Sequence, residues 1–98
     1  MSKFTELIKG ETPVLVDFYA TWCGPCKVLM GNMQKLADSG QELPMEMFKY
    51  DVDSDRELTS QMGIRSVPTV KIFKDGEVVK TNSGVLTQQQ IIELMEQY

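Results

Sequence analysis

The chain has 98 residues, 42% of them hydrophobic and 24% charged, which is the usage of one globular domain rather than a disordered tail, a fibre or two separate cores. Ten Lys and Arg against fourteen Asp and Glu leave a net charge of −4 with no basic block, which argues against nucleic-acid binding. Histidine is absent, which excludes Ser-His and Cys-His nucleophile pairs, His-ligated haem and Cys/His zinc fingers.

Met1 to Thr12 carries Lys3, Glu6, Lys9 and Glu11 and has no apolar stretch of the signal-peptide kind, so the expected location is the cytoplasm. No apolar run approaches the roughly 20 residues of a membrane helix, so no membrane partner is expected. Phe4, Leu7 and Ile8 fall at helical spacing and predict a short helix over Ser2 to Lys9, stopped by Gly10. Pro13 opens Val14-Leu15-Val16-Asp17-Phe18-Tyr19, a β-branched and aromatic run that suits a central strand covered on both faces. After Cys23-Gly24-Pro25-Cys26, the residues Val28, Leu29, Met33, Leu36 and Ala37 predict a helix that ends at Gly40. Met45 to Val52 is the second strand.

Ser54 followed by Glu57 has the form of a capping box and predicts a short helix to about Met62, ended by Gly63. Thr69 to Phe73 is a third strand. Asp75-Gly76 is the strongest short hairpin signal, and Val78 to Thr81 returns as the fourth strand. Thr87 with Gln90 caps a last helix whose Ile91, Ile92, Leu94 and Met95 can pack on the sheet. The expected order, α-β-α-β-α-β-β-α, combines a parallel crossover pair with an antiparallel hairpin. It gives a mixed four-stranded sheet with helices on both faces, an α/β sandwich occupying residues 1–98.

The two cysteines, Cys23 and Cys26, supply half the ligands of a structural zinc site and half those of an iron–sulfur cluster, so no metal is expected. A bridge across two intervening residues closes almost no loop and adds little to stability. The pair is left with reversible redox chemistry or with life as two inert thiols. Its place decides between them, because it sits where a strand ends and a helix begins. The first N–H groups of a helix are unpaired and the aligned peptide dipoles put partial positive charge there. A thiolate at that point is stabilised and more of it is nucleophilic at neutral pH. Cys23 receives this benefit at the cap, and Cys26, one turn deeper, can attack a mixed disulfide formed on Cys23. Pro25 is tolerated in the first turn because the N–H it lacks would have been unpaired. Gly24 leaves the approach to the sulfur open, and Trp22 adds a flat apolar surface.

Trp22-Cys23-Gly24-Pro25-Cys26-Lys27 resembles the active-site motif of the thioredoxin family. The likeness runs through Val16 to Ala20 before the motif, Gly63-Ile64-Arg65-Ser66-Val67-Pro68-Thr69, Phe73-Lys74-Asp75-Gly76, and Gly84. It implies a thioredoxin-like three-layer α/β/α sandwich and a thiol–disulfide oxidoreductase that reduces protein disulfides. The implied partners are disulfide-containing proteins and a flavoprotein reductase of the thioredoxin reductase type, which draws on NADPH. The implied protein is a monomer that uses no cofactor beyond the Cys23–Cys26 pair. The same resemblance makes Cys23 the nucleophile and Cys26 the resolving thiol. It makes Asp17, in its apolar strand, a proton acceptor and donor with a raised pKa, tuned by Lys49, and it makes the Val67–Pro68 bond cis. Trp22, Gly24, Pro25, Val67, Pro68 and Gly84 become the substrate-binding surface. The alternatives are an oxidase or isomerase of the same fold, which usually carries histidine between the cysteines, and a binding module without turnover, which needs neither cysteine.

Two departures from the family pattern stand out. Gly31 occupies a helix position where many members have a kinking proline. Only Met1 to Thr12 precedes the central strand, where the long form of the family has an opening strand and a helix. The expected sheet is therefore four-stranded, in the spatial order second, first, third, fourth, with Met45–Val52 at an edge.

Overall fold

Pro13 cannot extend a helix, and the β-branched residues after it favour extended backbone, so the chain turns into its first strand there. The computed structural model describes residues 2–98; Met1, the first residue of the expected domain, lies outside them. The elements in chain order are α1 (Ser2–Ile8), β1 (Val14–Tyr19), α2 (Gly24–Asp38), β2 (Glu46–Asp51), α3 (Arg56–Gln61), β3 (Thr69–Lys74), β4 (Glu77–Ser83) and α4 (Gln88–Glu96). The four strands form one sheet in the order β2-β1-β3-β4. Strand β1 runs parallel to β2 and antiparallel to β3, and β3 and β4 form an antiparallel hairpin. This is the expected arrangement, with β2 at an edge. Among the described residues before Pro13 there is a helix and no strand.

Alternation along the strands sorts side chains onto two faces. On one, Val16, Phe18 and Phe73 pack with Phe4 and Ile8 of α1 and Leu58 of α3. The Phe4 ring meets Phe73 edge-on at 5.6 Å between centroids and Tyr50 at 5.4 Å, geometry that aromatic quadrupoles favour. On the other, Leu15, Val70 and Ile72 pack with Leu29, Met33 and Leu36 of α2 and Ile91, Leu94 and Met95 of α4. The result is a three-layer α/β/α sandwich.

The Asp75-Gly76 turn has both central residues at positive φ, +55° and +81°, the twist that matches two right-twisted strands. Its amides also reach back to the start of the chain. Asp75 N–H donates to the Gly10 carbonyl at 3.0 Å and Gly76 N–H to that of Ile8 at 2.9 Å, which pins the end of α1 to the hairpin. The helix α3 begins one residue later than the Ser54–Glu57 pattern predicts. The Asp55 carboxylate accepts the Leu58 N–H at 3.0 Å, while the Ser54 hydroxyl donates to the Asp51 carbonyl at 2.7 Å. A carboxylate outcompetes a hydroxyl at the positive end of a helix, which explains the shift. At α4 the expected capping box is present, with Thr87 and Gln90 exchanging side-chain to backbone bonds.

Helix α2 runs unbroken through Gly31, which is exposed, and a β-carbon built there meets nothing within 4 Å. Glycine inside a helix carries an entropic cost that alanine does not. Gly31→Ala is therefore expected to stabilise the protein by about 0.5–1 kcal/mol. The readout is a higher urea midpoint at unchanged slope. A lower midpoint would mean that the helix needs the freedom of glycine at this point.

Candidate active site

Strand β1 ends at Tyr19, and after a short turn the chain enters α2 with Cys23 as its N-cap residue. Cys23 is extended (φ −97°, ψ 115°), and its sulfur accepts the Cys26 backbone N–H at 3.2 Å. That bond satisfies one of the orphan donors of the first turn and places Sγ in the positive end of the helix dipole. Gly24 and Pro25 fill the first helical positions. Cys23 and Cys26 are joined as a disulfide, with Cα atoms 5.3 Å apart. Cys23 retains 5% of its surface and Cys26 none, so of the two residues Cys23 is the one open to solvent.

The opposite wall comes from the segment before β3. The Val67–Pro68 peptide is cis, and the Val67 carbonyl oxygen lies 3.8 Å from Cys23 Sγ. Gly84, at the end of β4, donates its N–H to the Pro68 carbonyl at 3.0 Å and has φ +101°, a conformation that glycine adopts readily and other residues avoid. Trp22 is 71% exposed, with its indole held in place because Nε1 donates to Asp53 at 2.8 Å. Beside it Trp22, Val52, Thr59, Ile64, Arg65 and Val67 line a shallow cleft of about 160 Å³. Cys23, Cys26, Trp22, Gly24, Pro25, Val67, Pro68 and Gly84 thus come together at one end of the sheet. Gly24 has open space around it, since an added β-carbon meets no protein atom within 4 Å.

Asp17 lies beneath this end. It is 0% exposed, on the strand face that α2 covers, and neither carboxylate oxygen has a hydrogen-bond partner. Burial pushes its pKa from 3.8 up to about 7, against a smaller opposing pull from the Lys49 ammonium. Lys49 is its register partner on β2 and is itself exposed, so it acts on Asp17 through charge and makes no bond to it. Asp53 was not among the residues that the sequence singles out. It lies 31 positions from Trp22, between Asp51, whose carboxylate accepts the Asp53 N–H, and Asp55, which caps α3, so nothing local marks it. Among the described residues, no cluster of three or more acidic or cysteine side chains is placed to hold a metal ion.

The family model named thioredoxin matches residues 1–97. A thioredoxin of Alicyclobacillus acidocaldarius is 39% identical over 90 residues, covering 92% of this chain and 85% of its own length. A thioredoxin of Rickettsia bellii is 39% identical over 88 residues, covering 90% of this chain and 83% of that one. Among solved structures, a single-residue mutant of a thioredoxin from Halobacterium salinarum superposes with a TM-score of 0.88 at 35% identity, covering all of this chain and 84% of the other. A thioredoxin of Plasmodium falciparum gives 0.85 at 34% identity, covering all of this chain and 93% of the other.

The buried carboxyl couples stability to pH. Its folded pKa lies above its unfolded one, so its contribution is fully present below about pH 4 and is lost as the pH rises to about 7. Asp17→Asn removes that loss. Between pH 4 and pH 8 the oxidised variant is expected to gain stability over the parent by on the order of 4 kcal/mol. Urea titrations at the two pH values give the comparison. A gap that stays constant with pH would show that Asp17 titrates like an exposed carboxylate.

Proposed function

This chain belongs to the thioredoxin family and is a thiol–disulfide oxidoreductase that reduces protein disulfides, and we propose that Cys23 attacks the substrate, Cys26 resolves the adduct and Asp17 handles the proton. The observation that carries this division of labour is the contrast between the two sulfurs. Cys23 Sγ caps α2 and accepts an N–H bond at 3.2 Å, while Cys26 is wholly buried. In the dithiol form the Cys23 thiolate is stabilised by the helix end and attacks one sulfur of a substrate disulfide, expelling the other as a thiolate. Cys26 gives its proton to the Asp17 carboxylate and attacks Cys23 Sγ. The second substrate thiolate leaves, and Cys23–Cys26 closes as a disulfide that has given up two electrons. A carboxyl of pKa about 7 is matched to this exchange at neutral pH. Lys49 keeps that pKa from rising further.

The substrate lies as an extended segment against Val67, Pro68 and Gly84, with Trp22, Gly24 and Pro25 as apolar walls. A flavoprotein reductase of the thioredoxin reductase type, fed by NADPH, restores the dithiol. The two cysteines carry the electrons themselves, so the cycle needs no bound cofactor, and a monomer suffices for it. A reducing compartment, the cytoplasm, favours this direction. Among the described residues, no helix is long and apolar enough to cross a membrane.

With Cys26→Ser, mixed disulfides between Cys23 and target proteins should accumulate, visible on a non-reducing gel and released by dithiothreitol. With Cys23→Ser few should form. Equal trapping by both variants would overturn the assignment of attacking and resolving thiols.

A further inference from the structure

We propose that Asn32 is a positioning residue for substrate docking, its side-chain amide holding the segment from Gly84 to Leu86 in place against α2. The proposal rests on the reading that Val67, Pro68 and Gly84 form the docking surface.

The middle of α2 breaks a local rule. Gly31 and Asn32 are consecutive and both are weak helix formers, so helix formation itself does not account for Asn32. Its side chain has a tertiary task. Asn32 Nδ2 donates to the Leu86 carbonyl at 2.9 Å, across 54 positions of sequence. Leu86 is also anchored by burial in the core between α2 and α4. At the other end of the same segment, Gly84 N–H donates to the Pro68 carbonyl at 3.0 Å. Val85, between these two fixed points, keeps 41% of its surface exposed.

The two bonds therefore tie three pieces together: the helix that carries both cysteines, the segment around Gly84, and the cis-proline segment whose Val67 carbonyl lies 3.8 Å from Cys23 Sγ. A docking surface drawn from separate segments binds well only if their spacing is held before the substrate arrives. Without the Asn32 amide, Leu86 is held on that side by apolar packing alone, which fixes depth better than it fixes lateral position. The sulfur chemistry is untouched, since Asn32 contacts neither cysteine among the hydrogen bonds of the site. The expected signature is a defect confined to substrates large enough to use the surface.

Asn32→Asp keeps the shape and cannot donate. Asn32→Leu removes the donor without adding charge, and leucine favours the helix, so a folded variant is secured. Each protein is reduced, and its oxidation by insulin and by 2-hydroxyethyl disulfide is followed through Trp22 fluorescence. Both variants should react with insulin about three- to tenfold more slowly, the range set by one ordinary hydrogen bond. Their rate with the small disulfide, and their equilibrium with glutathione, should match the parent. Parent-like rates with insulin, or equal slowing with both disulfides, would overturn the role of Asn32. A parent chain that shows no preference for insulin over the small disulfide would instead sink the docking reading, and the proposal with it.

Discussion

Strand β1 is buried on both faces and paired on both edges, and the environment of Asp17 depends on that enclosure. Val14, Leu15, Val16 and Phe18 are buried on it and give the sheet its centre. Asp17 is carried into the same dry layer by the strand it belongs to, without a hydrogen-bond partner for either oxygen. An unpaired buried carboxylate would be costly, so the group stays protonated to higher pH. Among the described residues, Asp17 is the one buried side chain whose polar atoms lack a hydrogen-bond partner, and it lies on the strand that leads into the helix carrying the cysteines.

Two opposed electrostatic effects operate a few residues apart. At Asp17 desolvation dominates and disfavours the charged form, with Lys49 offsetting a smaller part. At Cys23 the N-terminal N–H groups and dipole of α2 act on the sulfur that caps the helix, an influence of opposite sign that would favour negative charge there once the disulfide is reduced. The two environments bias charge in opposite directions, away from the Asp17 carboxyl and toward the Cys23 sulfur.

Topology explains why the two walls of the site meet. Strands β1 and β3 are antiparallel, with Phe18 opposite Thr69, so the end of the first and the start of the second fall at the same end of the sheet. Cys23 follows the one and Val67–Pro68 precedes the other. Gly84 joins them because β4 pairs Ser83 with Thr69. The free edge of β2 lies at the side of the sheet, away from this end, and its exposed Glu46 and Lys49 discourage a foreign strand from pairing there.

Much of this was legible in the residues themselves. Periodicity, the break at Pro13, the Asp75-Gly76 turn and the Thr87–Gln90 cap are local signals, each set by a few neighbouring side chains, and they located the elements to within a few residues. The cysteine pair at a strand-to-helix junction announced its chemistry for the same reason, since a helix end polarises whatever caps it. The cap of α3 falls on Asp55 rather than Ser54 because two adjacent acceptors compete for the same amides, and their charges and geometry choose between them. The Trp22–Asp53 and Asn32–Leu86 bonds could not be read in advance, because they join positions 31 and 54 residues apart. Asp17 shows the division most clearly. Its sequence neighbours implied an apolar surrounding, but the absence of any hydrogen-bond partner, which lets desolvation control its pKa, is settled only when α2, β2 and β3 close around it.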